Sequence, residues 1–203
     1  LFVDDSSPDG TPEAIKNNFH YNKSIFLLSR PKKMGLGSAY REGFSWGLKK
    51  NYTHIISMDA DFSHSFEDLS NLILNIKKYK LIIGSRYVHG GKTTGWKTSR
   101  KILSKYANKL AKFITNSNIH DLTSGFKIYD ANLLSKIHYE NTKSNGYTFQ
   151  IEMVNSCELH TDSIIEIPIN FRERKEGYSK MNFKIVIEAI KYLMFFKIRN
   201  IKE

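Results

Sequence analysis

Asp59, Ala60 and Asp61 follow the apolar, β-branched run His54-Ile55-Ile56-Ser57-Met58, which reads as a buried strand without a breaker. Two carboxylates one residue apart thus stand where a strand gives way to a loop, the edge at which open α/β sheets place ligands. Both can reach one hard cation as the chain turns. Mg2+ and Mn2+ favour oxygen ligands and are commonly shared with substrate phosphates. The pattern suggests a metal–diphosphate site at Asp59 and Asp61. A solvated turn whose acids cap the next helix is the alternative for the tripeptide alone.

Three other segments carry chemistry-bearing residues. In Val3 to Thr11, Asp4 and Asp5 leave a strand end for a Ser/Pro/Asp/Gly turn. There they can accept hydrogen bonds from a ribose or base, whereas Asp9 or Thr11 can cap a helix. Gly35-Leu36-Gly37-Ser38-Ala39-Tyr40 follows the basic Arg30-Pro31-Lys32-Lys33. Glycines ahead of a helix let backbone N–H groups approach an anion, but Tyr40 in the third glycine position and the missing Gly-Lys-Ser/Thr ending exclude the two common phosphate-loop patterns. The loop Phe171 to Lys180, rich in Arg and Lys, could neutralise a leaving group over such a site or be an ordinary charged loop.

Residues 97 to 115 are a helix with an unusual charge pattern. At about 100° per residue, Lys97, Lys101, Lys105, Lys109 and Lys112 share an arc of roughly 120°. Leu103, Tyr106, Ala107, Leu110 and Ile114 are expected on the opposite, core-facing side. Arg100 and Ser104 lie between, one turn apart, where a guanidinium and a hydroxyl could hold one phosphate. From residue 97 no acid occurs until Asp121, so i,i+4 pairing does not account for the lysines; the stripe is either a solvated face or one attracted to a phosphate-rich surface.

The elements that must position these residues alternate. Strands are expected at 1–3, 25–28, 55–58, 81–83 and 164–171, and helices at 11–19, 37–50, 66–78, 97–115 and 146–160. That order predicts an α/β fold with a mostly parallel central sheet flanked by helices. Pro168 within the last strand predicts an edge or bulge. The opening residues read as a strand end, so a further strand upstream is expected. One domain over residues 1–203 is the simplest organisation.

Composition narrows the class. The 203 residues are 40% hydrophobic and 13% aromatic, enough for a core, and the net charge of +11 points to an anionic partner. Cys157 is the single cysteine, which excludes an intrachain disulfide, and its apolar helical surroundings suit the core. No stretch reaches the ~20 apolar residues of a spanning helix. Residues 185–198 read as an amphipathic helix on the core or on a membrane surface.

In this order the motifs VDDSSPDGT, GLGSAYREG, DADFSH, GSRYVHGG, WKTSRKILSKYAN, DLTSGFKIYD, GYTFQIEM and EIPINFRERKEGYSK resemble the family 2 glycosyltransferases. Within that family they are most similar to the polyprenyl-phosphate (dolichyl-phosphate) mannosyltransferases. The resemblance implies a glycosyltransferase A-type fold and inverting transfer from GDP-mannose to a polyprenyl phosphate. It implies that Asp4 and Asp5 contact the nucleoside, and that Asp59 and Asp61 hold Mg2+ or Mn2+ on the diphosphate. Gln150 and Glu152 would line the sugar side, Arg86, Arg100 and Ser104 would bind the acceptor phosphate, and Arg174 and Lys180 would belong to a loop over the donor. Asp61 and Arg174 are the expected catalytic residues.

Two positions depart from the family pattern. Ser63 stands where some relatives place a glutamine ligand, leaving that coordination position to water, and the usual Pro-x-Tyr-Asn-Glu strand is absent. A relative using UDP-glucose or a non-lipid acceptor is the close alternative. A basic nucleic-acid-binding module is the distant one; it leaves Asp59 and Asp61 unexplained, and no RNP, KH or zinc-finger pattern occurs, so no nucleic-acid partner is expected. The expected location is peripheral, on the cytoplasmic face of a membrane, through the lysine face, the C-terminal helix or a separate anchor subunit.

Overall fold

The structure is a computed structural model and describes residues 1–19, 24–144 and 146–173. In chain order the elements begin with β1 (Phe2–Asp4), α1 (Thr11–Phe19), β2 (Leu27–Ser29), α2 (Leu36–Lys49), β3 (His54–Ser57) and α3 (Phe66–Ile73). They continue with β4 (Leu81–Ser85), β5 (Lys92–Thr94), α4 (Thr98–Thr115), β6 (Lys127–Asp130), α5 (Ala131–Lys136), α6 (Gly146–Glu158), β7 (Ile164–Pro168) and β8 (Asn170–Arg172). Arg174, Lys180 and the expected helix at 185–198 lie outside the described residues.

β4 shows why the sheet is central. All five of its residues are buried, and they alternate between two cores. Leu81 and Ile83 pack with Phe44, Tyr129, Leu134, Phe149 and Met153, while Ile82 packs with Leu72, Phe126, Ile128 and Ile169. A strand covered on both faces needs apolar side chains in both phases of its pleat, and Leu-Ile-Ile supplies them. Residues of α2, α4, α5 and α6 line the first core, and Leu72 of α3 lines the second.

The four-stranded sheet has the order β3-β6-β4-β7. β7 runs parallel to β4, and β6 runs antiparallel to both β3 and β4. Three strands therefore share one direction, as expected, with a reversed strand inserted among them. β6 was not anticipated. Its sequence, Lys-Ile-Tyr-Asp, begins on a charge, and that charge is buried because Lys127 is hydrogen-bonded inside the fold. β1 and β2 form a parallel pair joined through α1, and β5 and β8 form another. The strand expected at 164–171 is two strands: β7 ends at Pro168 on the sheet edge, and β8 then pairs with β5.

Local signals fix the helix ends. Ser65 caps α3 by accepting from the Asp68 amide at 3.0 Å, and the Asp68 carboxylate accepts from the Ser65 hydroxyl at 2.8 Å. Asp130 caps α5 through the Leu133 amide at 3.0 Å. Asn116, with φ 55°, closes α4 in the left-handed region that asparagine tolerates.

The apolar face expected for α4 needs correction. Tyr106 and Leu110 are exposed, and the buried positions are Ser104, Asn108, Ala111 and Ile114. Polar pairing turns the helix this way. The Ser104 hydroxyl meets the Tyr87 hydroxyl at 2.7 Å, and the Asn108 side chain exchanges hydrogen bonds with Thr123 at 2.8 and 3.3 Å. Buried polar groups that are fully paired can outweigh apolar periodicity in choosing the buried face.

Candidate active site

Asp59 and Asp61 lie just beyond the end of β3, in a turn held by its own side chains. Asp61 Oδ1 accepts from the Ser63 amide at 3.0 Å, and Phe62 between them has φ 61°. Gly125, in the loop before β6, lies beside Asp59. A Cβ there would stand 3.5 Å from Asp59 Oδ1, 3.8 Å from Gln150 Nε2 and only 3.0 Å from the Tyr40 hydroxyl. Glycine is required at this point for close approach, not for backbone freedom. The Gly125 carbonyl accepts from Ser57 Oγ at 2.8 Å and from the Tyr40 hydroxyl at 3.4 Å. Tyr40 on α2, Gln150 on α6 and Asp59 after β3 thus converge on one loop.

Lys127 anchors that loop from below. Its Nζ donates to the Ser124 carbonyl and, at 2.7 Å, to Gln150 Oε1. Burial pulls its ammonium down to about 7, against the opposing charge of Asp121. Burial also raises the Tyr40 phenol, with the Asp59 charge adding to the effect, so Tyr40 is a neutral donor. His64 is packed between Phe126 and Phe171, at ring distances of 4.5 and 5.1 Å, with Nε2 3.7 Å from Asp59 Oδ2. Among the described residues neither His64 ring nitrogen has a hydrogen-bond partner, nor does the buried Ser63 hydroxyl.

These residues fit a Mg2+ or Mn2+ ion shared with substrate. Among the described residues no cluster of three or more His, Cys, Asp or Glu side chains could cage a metal unaided. Two partly exposed carboxylates leave the other coordination positions to phosphate oxygens and water, the arrangement hard cations take on substrate diphosphates. The orphaned polar atoms of Ser63 and His64 beside the turn are consistent with further polar occupants there.

At the β1 end, Asp4 is buried and accepts from the Ser7 amide at 3.0 Å, which shapes the turn. Asp5 forms an ion pair with the buried Arg30 and accepts from the Met34 amide at 3.3 Å. Arg30 also reaches Ser38 at 2.7 Å, Glu42 at 3.1 Å and the Gly35 carbonyl at 3.3 Å. One guanidinium therefore ties the end of β1 to the start of α2, with Asp5 part-exposed at its rim.

A third cluster surrounds Arg86. Its Nε and Nη2 each lie 2.7 Å from the Asp121 carboxylate, its amide donates to the same group at 2.9 Å, and Nη2 reaches Thr123 at 2.7 Å. Burial alone would raise the Asp121 carboxyl, but the Arg86 charge and hydrogen bonds hold it below the usual carboxylate value. The Arg86 guanidinium lies 5.7 Å from the Trp96 ring, and Arg100 stacks on Trp96 at 3.9 Å. Arg100 Nη1 pairs with Glu173 at 2.8 Å, while its Nε and the indole N–H of Trp96 are buried with no hydrogen-bond partner among the described residues.

The structure thus brings Asp59 and Gln150 to one loop, and Arg86 and Arg100 to one indole. Ser104 joins the latter group through Tyr87, which contacts Arg86 at 5.2 Å. The Glu152 carboxylate accepts from the Ser144 amide and hydroxyl on the loop before α6. Cys157 is fully buried, and burial pushes its thiol up to about 12, a core residue as expected. Sequence reasoning gave no role to Gly125, Lys127, Asp121, Trp96 or Tyr40. The runs Asp-Leu-Thr-Ser-Gly-Phe-Lys and Trp-x-x-x-Arg contain four of them and were the available signal.

Carboxylates at a strand end, a close-approach glycine and a mixed sheet flanked by helices fit the nucleotide-sugar transferase, A-type fold, to which the matches below assign the chain. The chain belongs to glycosyltransferase family 2, since residues 1–138 match the family described as Glycosyl transferase family 2. It is 40% identical over 190 residues to the undecaprenyl-phosphate mannosyltransferase of Micrococcus luteus, covering 94% of this chain and 78% of that protein. It is 41% identical over 192 residues to the polyprenol monophosphomannose synthase of Mycolicibacterium smegmatis, covering 94% and 72%. Among solved structures it resembles glucosyl-3-phosphoglycerate synthase from Mycobacterium tuberculosis in complex with Mn2+, UDP-glucose and phosphoglyceric acid. That match has a TM-score of 0.63 at 14% identity, over 96% of this chain and 66% of that one, and shows the fold alone.

Proposed function

We propose that this glycosyltransferase moves mannose from GDP-mannose to a polyprenyl phosphate, inverting the anomeric carbon and releasing GDP. The observation that carries the reading is about 40% identity along nearly the whole chain to two bacterial proteins, both named for joining mannose to a polyprenyl carrier. A phosphate oxygen of the acceptor forms the bond to the anomeric carbon as the bond to the diphosphate breaks and its electron pair leaves with GDP. The acceptor is already an anion near neutral pH, so no side chain has to deprotonate it. Positioning and charge neutralisation then supply the catalysis.

In this reading Asp59 and Asp61 would hold Mg2+ or Mn2+, and the ion would supply positive charge for the departing diphosphate. Gln150, fixed by Lys127, faces the sugar side beside Gly125, and Glu152 acts through the Ser144 loop. Asp4 and Asp5 bound the nucleoside side, where Arg30 holds the Asp5 carboxylate and the buried Asp4 shapes the turn through the Ser7 amide. Arg86, Arg100 and Ser104 form the acceptor-phosphate site. Asp121 fixes Arg86 in place, and the lipid phosphate shares or displaces Glu173 at Arg100. Arg174, a catalytic residue in this reading, and Lys180 are assigned to a loop over the donor. Among the described residues no helix is long and apolar enough to cross a membrane, and the acceptor's phosphate sits at a bilayer surface. That acceptor calls for work at a membrane surface, and in this reading the protein acts peripherally on the cytoplasmic leaflet, with or without a separate anchor subunit.

Asp59→Ala and Asp61→Ala, assayed for lipid-linked mannose across a Mn2+ titration, are expected to lose about 100-fold or more of the transfer rate. Turnover near that of the wild type in either variant would remove these carboxylates from the mechanism.

A further inference from the structure

The solvent face of α4 divides lengthwise into two chemically different halves. Ile102, Phe113, Tyr106 and Leu110 share about 80° of arc, and the five lysines fill the adjoining 120° or so. The four apolar side chains are 51%, 80%, 67% and 38% exposed respectively. Lys101, Lys105 and Lys109 are exposed beside them, and the helix carries no Asp or Glu. Scattered exposed hydrophobics are ordinary, but a contiguous stripe at helical spacing marks a surface that something covers.

We propose that this face of α4 docks on an anionic lipid surface, with Ile102, Tyr106 and Phe113 inserted at the headgroup boundary and the lysines on the phosphates. Charge selects this occupant. A protein partner for an apolar stripe needs no single-sign border, whereas aromatic and aliphatic residues bordered along one side by lysines, on a helix with no acid, match the apolar interior and anionic rim of a bilayer surface. The inner face of the same helix gives a second reason, which rests on the acceptor reading above. Arg100 and Ser104 belong to the cluster assigned to the lipid phosphate, so a helix lying on the bilayer would hold that cluster at headgroup depth. The polar pairing of Ser104 and Asn108 then has a consequence beyond packing: it rotates the apolar residues outward.

The test uses the whole chain and vesicles of phosphatidylcholine with or without phosphatidylglycerol. Tyr106→Ser/Phe113→Ser is expected to lower vesicle partitioning about tenfold at both low and high salt. Lys101→Gln/Lys105→Gln/Lys109→Gln should remove the part that salt weakens. Both variants should bind GDP-mannose in solution as the wild type does. Phe113→Trp fluorescence should shift to the blue on vesicles and be quenched by brominated lipid, and a Leu159→Trp control, exposed off the helix, should not. Unchanged partitioning of Tyr106→Ser/Phe113→Ser would overturn the docking face. So would a large fall in its melting temperature, or its conversion of a dimer to a monomer, because each would mean that protein covers the stripe. Vesicle binding by a wild-type protein that fails to bind GDP-mannose would overturn the functional reading while upholding this one.

Discussion

Removing the Asp121 carboxylate should cost this fold more than most single substitutions. Asp121 is fully buried and receives three hydrogen bonds from Arg86, one from its amide and two from its guanidinium. Asp121→Ala leaves the buried Arg86 charge with Thr123 as its remaining hydrogen-bond partner among the described residues. Breaking one side of a buried pair typically costs about 3–5 kcal/mol, a large share of the roughly 5–15 kcal/mol that holds a domain folded. For a chain of this size about 2–4 °C accompanies each kcal/mol, so the melting temperature should fall by roughly 6–20 °C. Asp121→Asn should also be costly, since its carbonyl oxygen replaces only one carboxylate oxygen, its NH2 faces a guanidinium that has only donors, and the pairing charge is lost. Arg86→Met/Asp121→Leu should recover much of the stability, because a buried pair replaced by apolar residues of similar volume is often neutral. It should not recover transfer, because Arg86 is assigned to the acceptor phosphate. Thermal and urea unfolding of the four proteins measure this. An Asp121→Ala protein within about 1 kcal/mol of the wild type would refute the reasoning.

Gly125→Ala should weaken GDP-mannose binding about tenfold, or roughly 1.4 kcal/mol by calorimetry, because the new methyl meets the Tyr40 hydroxyl at 3.0 Å beside Asp59. Tyr40→Phe in the same chain should restore part of it, and no loss on Gly125→Ala would mean that the loop yields freely. Lys127 gives a pH prediction. Its folded value of about 7 lies below the ordinary 10.5, so between those values the unfolded chain binds more protons and stability should rise with pH. Measured from pH 7 to 8, below the ordinary thiol value of 9.0 at which unfolded Cys157 begins to oppose the trend, the slope should be larger in the wild type than in Lys127→Met. Equal slopes would place the ammonium in a more polar setting.

The parts of the fold that were legible are those where one physical signal dominates. The apolar run Leu81-Ile82-Ile83 read as a strand and residues 97–115 as a helix, and the structure has both; that β4 is buried on both faces came only with the structure. β6 was hidden because a buried lysine looks, in sequence, like a surface one; its partner Gln150 is twenty-three residues away and reaches it only through α6. The orientation of α4 was misread for a related reason. Apolar periodicity pointed Tyr106 and Leu110 inward, but Ser104 and Asn108 have buried partners, Tyr87 and Thr123, from other parts of the chain. At the site, the Asp-Ala-Asp turn was legible because strand, turn and acids are contiguous. Gly125, Asp121 and Trp96 were not, because each acts through what it lies against.

The central claim, mannosyl transfer from GDP-mannose to a polyprenyl phosphate, is tested most directly by incubating the protein with Mn2+, a short polyprenyl phosphate and each of several radiolabelled nucleotide sugars. Label should enter the organic phase from GDP-mannose, depend on the metal, and be released as mannose by mild acid. Label entering from UDP-glucose instead, or staying in the aqueous phase with every donor, would contradict it.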